Sequence, residues 1–288
     1  MTTDIYKPTG CMTLAEQEYS NAIRLGIQSP PGLGKTFAAL TFPNPVVADF
    51  NKGLGAHVGR SDVIPVPFWD GKFCDSIHKR NGTLCPPNQK DAFTDWLLKE
   101  GTKLHKDQTL VIDSNTEVEA AFHIQYATDG GPPIGKNGTV DSYDEYKKKL
   151  AWYSYITQLI KNLPCLVVYI THETIEWDKQ GDATGGAKPL LSGQAGDKIV
   201  GDYTDWVRQW AIAKPISDAA KGKMVEKYQL NDQEYLNWMS STPDNHSTIY
   251  LWQTQSDEMF KLKTSNLFNA PKFVLANYSS FQKYKRKQ

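Results

Sequence analysis

The chain has 288 residues, of which 40% are hydrophobic and 22% charged, and its formal net charge at pH 7 is zero. This composition is typical of a globular protein and argues against a disordered chain, and no apolar run approaches the ~20 residues that span a bilayer. Without a net positive charge, the chain as a whole does not have the electrostatics of a nucleic-acid binder. Its four cysteines lack paired spacing, which predicts reduced thiols in a cytoplasmic protein.

Short apolar runs alternate with helical patterns as far as residue 172, which predicts βα units and a mainly parallel sheet. The predicted strands are residues 22–27, 45–50, 63–68, 109–114 and 165–172, and the predicted helices are 35–42, 89–101, 117–127 and 142–162. The segment at 72–88 has no assigned function.

After residue 172 the runs "DWVRQWAIAK", "MVEKYQL", "TIYLWQT" and "EMFKLKT" predict short strands without intervening helices. Such strands would extend the sheet in antiparallel fashion. No linker or repeat divides the chain, so we predict one α/β domain over 1–288. Its core covers about 22–276, with an N-terminal extension (1–21) and a basic tail (277–288).

Residues 28–36, "QSPPGLGKT", join the first predicted strand to the first helix. The glycines let the backbone curve around an anion, the lysine supplies charge for the β and γ phosphates, and the threonine hydroxyl can hold Mg²⁺. The usual pattern begins with glycine, but Ser29 is also small. We therefore predict ATP and Mg²⁺ as cofactors, with nucleotide contacts from Ser29, Pro30, Pro31, Gly32, Leu33, Gly34, Lys35, Thr36 and Phe37, and Mg²⁺ held by Thr36.

Two later strands end in polar residues that would lie beside the phosphates. "TLVIDS" ends in Asp113, an acid suited to hold Mg²⁺ through water. The strand 165–172 ends at His172, where a polar side chain could distinguish ATP from ADP. The alternative for His172 is a hydrogen-bonded loop histidine.

In this order the motifs resemble the RecA superfamily, and within it the RecA-core ATPases encoded by phages, some of which assist single-strand annealing and recombination. The resemblance covers about residues 22–276 and rests on "SPPGLGKT", "FPNPVVADF", "TLVIDS", "VVYITHE", "TGGAKPLLSG" and "FKLKT". It implies an ATPase that forms a homo-oligomeric ring or filament with nucleotide between subunits. It also implies single-stranded DNA and other recombination or single-strand DNA-binding proteins as partners, in a bacterial host cytoplasm and without a membrane.

The resemblance further implies two loops that face DNA, at residues 128–141 and 176–190. The candidate DNA-binding residues are Lys136, Lys179, Thr184, Gly185, Gly186 and Lys188 in these loops, with Lys147, Lys148, Lys149 and the basic tail as additional candidates. For the lysine run, the alternative is a solvated helix face. Lys261 and Lys263 match family lysines that reach the neighbouring subunit's γ phosphate, and their alternative is an exposed strand face.

One departure from the family concerns the acid that positions the attacking water, which lies in a D-x-E arrangement on the second strand. This chain has Asp49-Phe50-Asn51 there. Asn51 can orient water but cannot accept a proton, so we predict slow hydrolysis or a switch-like ATP cycle. Asp49 and Glu173 are possible substitutes for the acid.

Two other functions share the same phosphate loop. A small-molecule kinase usually closes an arginine-bearing lid, whereas the five arginines of this chain do not cluster in sequence. A helicase or packaging motor needs fast hydrolysis, which Asn51 disfavours, although Lys261 and Lys263 could supply the cation in trans. We therefore favour an ATPase that acts on single-stranded DNA in recombination, annealing or replication.

Overall fold

The computed structural model describes residues 23–70, 89–128, 142–177, 180, 182–191, 199–242, 246–257 and 259–285. The strands are β1 (Arg24–Gln28), β2 (Pro45–Asp49), β3 (Ile64–Pro67), β4 (Thr109–Asp113), β5 (Leu166–Thr171), β6 (Glu173–Trp177), β7 (Ala183–Pro189), β8 (Asp205–Ala213), β9 (Thr248–Gln253), β10 (Lys263–Thr264) and β11 (Phe273–Leu275). The helices are α1 (Lys35–Ala39), α2 (Gln89–Lys99), α3 (Asn115–Thr128), α4 (Ser142–Lys161), α5 (Asp218–Tyr228), α6 (Asp232–Ser240) and α7 (Tyr278–Tyr284).

The described strands form a nine-stranded sheet in the order β11-β9-β8-β1-β5-β4-β2-β3, with β10 paired to β8. The strands from β3 to β8 along this order are parallel, while β9 and β10 run antiparallel to β8 and β11 runs antiparallel to β9. This confirms the predicted α/β class, with a mainly parallel sheet and antiparallel C-terminal strands.

Helices cover both faces of the sheet, which explains why the parallel strands are apolar without alternation. In β2, Val46 and Ala48 lie in the core shared with α2, α3 and α4. Val47, between them, faces the opposite core, which contains residues of α1, β9 and α7. Successive side chains of one strand therefore enter two hydrophobic cores.

Strand β1 lies at the centre of the sheet and is fixed there by close packing. A Cβ at Gly26 would lie 2.0 Å from the ring of Trp206, so glycine is required for this approach. Arg24 is buried and closes the C-terminal end of α4. Its guanidinium donates to the carbonyl oxygens of Ile160, Lys161, Leu163 and Cys165.

The prediction of strands alone after residue 172 was wrong for "MVEKYQL", which belongs to helix α5, and α6 follows it directly. The helix signals are local. The Ser217 side chain caps α5 by accepting from the Ala220 amide, and Asn231 and Glu234 form a capping box at the start of α6. The "FKLKT" run contributes only the two-residue strand β10.

Residues 176–190, expected to be a loop that faces DNA, include a strand in their described part. Strand β7 pairs antiparallel with β6, with Glu173 opposite Pro189 and Thr174 opposite Lys188. The two strands form a separate hairpin that starts one residue after β5. Within the described residues, no helix is both long enough and apolar enough to cross a bilayer.

Candidate functional site

The loop between β1 and α1 has the backbone of a tight cradle. Gly32 and Gly34 have φ angles of 78° and 74°, which L side chains rarely adopt. A Cβ at Gly34 would also lie 2.6 Å from the ring of Tyr250. Both the conformation and the contact therefore require glycine at residue 34, directly before Lys35.

The Lys35 ammonium lies buried inside this loop. Its Nζ donates to the carbonyl oxygens of Ser29 and Pro30, each at 2.9 Å, and lies 3.2 Å from the Ser29 hydroxyl. Burial lowers the pKa of Lys35 to about 8, against the opposing effect of Asp113 and Glu173. Ser29, expected to be merely small, thus also supplies two acceptors to the lysine.

Thr36 and Asp113 meet at the carboxyl edge of the sheet, where Thr36 Oγ1 donates to Asp113 Oδ2 at 2.7 Å. Burial raises the pKa of Asp113, while the hydrogen bond from Thr36 acts in the opposite direction. A hydroxyl and a carboxylate are hard oxygen ligands of the kind that Mg²⁺ prefers beside phosphates. These residues fit a magnesium ion, and among the described residues no cluster of three or more His, Cys, Asp or Glu suggests another metal.

His172 follows β5 directly and faces the phosphate loop. Its Nδ1 lies 3.3 Å from Lys35 Nζ, and its backbone amide donates to Thr116 Oγ1. Burial and the Lys35 charge lower the pKa of His172, so the ring is neutral near pH 7. Because the ammonium donates, Nδ1 is the acceptor and Nε2 carries the ring proton.

Asp49 and Asn51 differ in how they face this edge. Asp49 is buried, and its two oxygens accept from the amides of Asn51 and Gly53 and from the indole nitrogen of Trp69. Asn51 is exposed. A Cβ placed on Gly53 would lie 2.8 Å from Asn51 Oδ1 and 3.8 Å from Asp113 Oδ2, so both side chains border the same space.

Glu173 is held in an ion pair that its sequence context does not indicate. Its carboxylate accepts from Arg208 Nε at 2.9 Å and from Arg208 Nη2 at 2.5 Å. The two side chains are only 5% and 11% exposed. An arginine therefore lies near the phosphate loop, although the arginines are scattered along the sequence.

Gln209 supports the phosphate loop from the neighbouring strand. Its Nε2 donates to the Leu33 carbonyl oxygen at 2.6 Å, and its Oε1 accepts from Trp252 at 3.1 Å. Sequence reasoning did not identify this residue. The available signal was a polar amide inside an otherwise buried β-rich run, which must find partners when it is buried.

Beside α1 lies a cavity of about 720 Å³. Phe37 forms part of its wall and lies next to the rings of His246 and Tyr250, at centroid distances of 5.8 and 5.9 Å. Since Phe37 follows Thr36 directly, the cavity begins where the phosphate loop ends.

The candidate DNA-binding residues are distributed as follows. On the β6–β7 hairpin, Thr184 and Gly185 are exposed, Lys188 is half-buried and Gly186 is buried, while Lys147 and Lys148 are exposed on α4. Lys136 and Lys179 lie outside the described residues.

Lys149 does not lie on the surface as expected of a DNA contact. Its side chain is 2% exposed, and its Nζ donates to Glu119 Oε1 at 2.7 Å. Neighbouring residues of a helix point in different directions around its axis, so exposed and buried side chains alternate within one turn. Lys149 points to the buried face. Lys149 therefore has a structural contact in place of the predicted one.

The two lysines after Phe260 differ in their surroundings. Lys261 is exposed, whereas Lys263 Nζ donates to the Gly201 carbonyl oxygen at 2.6 Å. Lys263 is thus engaged within its own chain.

No curated protein matches the chain by sequence. Similar solved structures include the assembled ATPase EscN from the type III secretion system of enteropathogenic E. coli, with 12% identity and a TM-score of 0.37 over 65% of this chain and 42% of that chain. The same ATPase in complex with its central stalk EscO has 13% identity and a TM-score of 0.36 over 65% and 42%. A prototypical type III secretion ATPase of pathogenic bacteria has 12% identity and a TM-score of 0.37 over 70% and 54%. The chain thus spans between 42% and 54% of the length of these structures.

The family model described as "AAA domain" matches residues 21–251. This span covers most of the chain and contains the phosphate loop, Asp113 and His172. The chain therefore belongs to the AAA domain family and carries an AAA-type P-loop ATPase domain.

Proposed function

We propose that this protein binds Mg²⁺ and ATP at the β1–α1 loop, hydrolyses ATP slowly, and uses the nucleotide to control binding of single-stranded DNA in recombination, annealing or replication. The observation that carries the nucleotide proposal is the convergence of Lys35, Thr36, Asp113 and His172 at one edge of the sheet. These side chains come from α1, from the end of β4 and from the residue that follows β5. Lys35, Thr36 and Asp113 each supply a group that a triphosphate bound with Mg²⁺ requires.

The residues of the chain divide the work as follows. Lys35 would exchange the carbonyl oxygens of Ser29 and Pro30 for the β and γ phosphates, to which the backbone amides of such a loop would also donate. Thr36 would hold Mg²⁺ directly and Asp113 would hold it through water, and the ion would neutralise charge on the phosphates. The neutral His172 ring lies next to Lys35 and senses the terminal phosphate.

The cavity beside α1 supports a nucleoside triphosphate over a simple phosphate ester. It begins at Phe37, and the rings of His246 and Tyr250 give it flat aromatic walls. Aromatic walls stack well on a purine base. We assign the base and ribose to this cavity.

Slow hydrolysis follows from the state of the carboxylates. Asp49 and Glu173 each have both oxygens engaged in hydrogen bonds within the chain. Neither is therefore poised to accept a proton from water. Asn51, beside Asp113, orients the water by hydrogen bonding alone, and orientation supports a loose phosphoryl-transfer transition state only in part.

The DNA proposal rests on the hairpin and on helix α4. Lys188 lies on the hairpin opposite Thr174, and Lys147 and Lys148 are exposed on α4. Such lysines neutralise backbone phosphates, so we expect affinity to fall with added salt. We further propose a homo-oligomeric ring or filament in the cytoplasm of a phage-infected bacterium, with Lys261 reaching the neighbouring nucleotide.

The affinity for ATP is expected to fall as the pH rises above about 8. Lys35 has a pKa of about 8 in the free protein, and adjacent phosphates raise the pKa in the complex. Above pH 8, binding must therefore take up a proton, so Kd rises by up to ~10-fold per pH unit. Calorimetric titration with an ATP analogue and Mg²⁺ between pH 7 and 9.5 measures this. A Lys35→Arg variant stays charged, so its Kd is expected not to change with pH in this range. A Kd of the natural protein that does not change with pH would contradict the assignment of Lys35 to the phosphates.

Binding of labelled oligo(dT) at increasing salt tests the DNA proposal. The natural protein with ATP is expected to bind at low salt, and Lys188→Ala to reduce the slope of log K against log salt by ~0.7, the value for one contact to single-stranded DNA. Lys99→Ala is the matched control, since Lys99 is exposed on α2 and pairs with Asp95. Absence of saturable binding at low salt would remove the DNA role. Strand separation coupled to turnover would favour the helicase alternative.

A further inference from the structure

Arg208 connects the nucleotide site to the hairpin. It lies on β8 in register with Gln28, the residue before the phosphate loop. Its guanidinium holds the carboxylate of Glu173 with two hydrogen bonds. Because Glu173 is both the neighbour of His172 and the first residue of β6, this ion pair lies between the two regions.

Two aromatic rings fix the guanidinium in place. The Arg208 Cζ lies 4.0 Å from the ring centroid of Trp210 and 4.0 Å from that of Phe260. The Trp210 indole donates to Gln253, and the Phe260 amide donates to Asp257. The two rings lie at 86° to each other, so the guanidinium is in the corner that they form. A planar cation that contacts two rings and also holds a carboxylate through two nitrogens is a geometry that lysine cannot reproduce.

The segment carrying Phe260 lies directly against the hairpin. A Cβ at Gly186 would be 2.7 Å from the Met259 carbonyl oxygen, and one at Gly185 would be 3.3 Å from Met259 Cε. The two glycines therefore permit a close approach of β7 to residue 259. Lys261, the proposed trans-acting lysine, follows Phe260 by one residue.

One nitrogen of this buried group is left over. Among the described residues, Arg208 Nη1 has no hydrogen-bond partner, and the residue is only 9% exposed. A buried ion pair of this kind is not needed for stability, since apolar residues of similar volume often serve as well. A buried donor without a partner calls for an explanation, and a second arrangement of the guanidinium in which Nη1 is paired would provide one.

We propose that Glu173, Arg208 and Phe260, here named the Arg208 joint, transmit the nucleotide state at His172 to the β6–β7 hairpin and to residues 259–261. The proposal rests on the proposed nucleotide site but not on DNA binding. A shift of His172 toward a terminal phosphate moves Glu173, the guanidinium follows its carboxylate, and the Phe260 ring in contact with the guanidinium moves the segment that lies against Gly185 and Gly186. Arg208 is a positioning residue, because it acts through Glu173 and Phe260.

Hydrogen exchange at the amides of β7 tests the joint. The variants are Arg208→Lys and Phe260→Leu, with Arg60→Lys as the matched control. Arg60 also holds Asp62 through two nitrogens, but this pair is more exposed, and Arg60 donates to the Leu40 carbonyl oxygen at the end of α1. Without nucleotide, we expect both joint variants to raise exchange at 183–189 by at least about threefold and the control to leave it unchanged.

A non-hydrolysable ATP analogue with Mg²⁺ supplies the second readout. We expect the analogue to change exchange of β7 in the natural protein and in the control, and to bind the joint variants within ~3-fold of the natural affinity without changing their β7 exchange. The double variant should match the stronger single variant, since the residues act as one unit.

Three results would overturn the joint. The first is β7 exchange without nucleotide like that of the natural protein in both variants, and the second is additive effects in the double variant. The third is a change of β7 exchange on adding the analogue that is as large in the joint variants as in the natural protein. Thermal unfolding checks that each variant is folded. If Arg208→Lys is not folded, the exchange measured in Phe260→Leu decides whether the joint exists. If the natural protein fails to bind the analogue, the nucleotide proposal fails. The exchange without nucleotide then still decides whether the three residues hold the hairpin.

Discussion

Replacing Lys35 by alanine is expected to weaken binding of ATP and Mg²⁺ by ~100-fold and to abolish measurable turnover. A hydrogen bond to a charged group contributes up to ~3 kcal/mol, and the ammonium makes several to the phosphates. In the free protein the ammonium is desolvated and held by the oxygens of Ser29 and Pro30. Lys35 is therefore positioned before the nucleotide arrives.

Calorimetric titration and phosphate release measure the loss in the Lys35→Ala variant. Because burial disfavours the Lys35 charge, as its lowered pKa shows, removing it should not unfold the protein, and the melting temperature should stay within a few degrees. Lys103→Ala is the control, since Lys103 is exposed and pairs with Glu100. Nucleotide affinity in Lys35→Ala equal to that in the control would exclude the loop as the phosphate site.

Replacing Asn51 by glutamate is expected to raise the rate of ATP hydrolysis by ~10-fold or more. The side chain borders the same space as Asp113, and a carboxylate there can both orient water and accept its proton. Asn51→Gln introduces a side chain as long as glutamate but without its charge. It therefore separates the effect of proton transfer from the effect of a longer side chain. Steady-state turnover at saturating ATP measures both variants.

The outcome for Asn51→Glu also tests how β2 is aligned with the family. If the glutamate and glutamine variants hydrolyse ATP at the same rate as the natural protein, Asn51 does not replace the missing acid. In that case the proposed slow cycle must have another origin. If only the glutamate variant is faster, the natural asparagine limits the rate of hydrolysis, as proposed.

The parallel half of the fold could be predicted because its signals are local and strong. Strands such as β4 are uninterrupted apolar runs, and a sheet covered on both faces requires them. The C-terminal helices were missed because the run at 224–230 has no strong helical period. Their caps at Ser217 and Asn231 were the better evidence.

The candidate site divides in the same way. The roles of Gly34, Lys35 and Thr36 follow from a contiguous motif, and Asp113 follows from its place at the end of a strand. The pairing of Glu173 with Arg208, and the support of Leu33 by Gln209, join residues far apart in sequence. No local pattern specifies such pairs, because they depend on which strands become neighbours.

By itself, the sequence determined that this chain forms a βα-type sheet with a phosphate loop and an acid at one edge, because backbone preferences and apolar patterning act over a few residues. Only the tertiary structure decided which polar groups are available for chemistry. Asp49, Glu173 and Lys149 form hydrogen bonds or ion pairs within the chain, whereas Asn51 is exposed beside Asp113. Availability depends on desolvation and pairing across the sheet, and those are properties of the assembled fold.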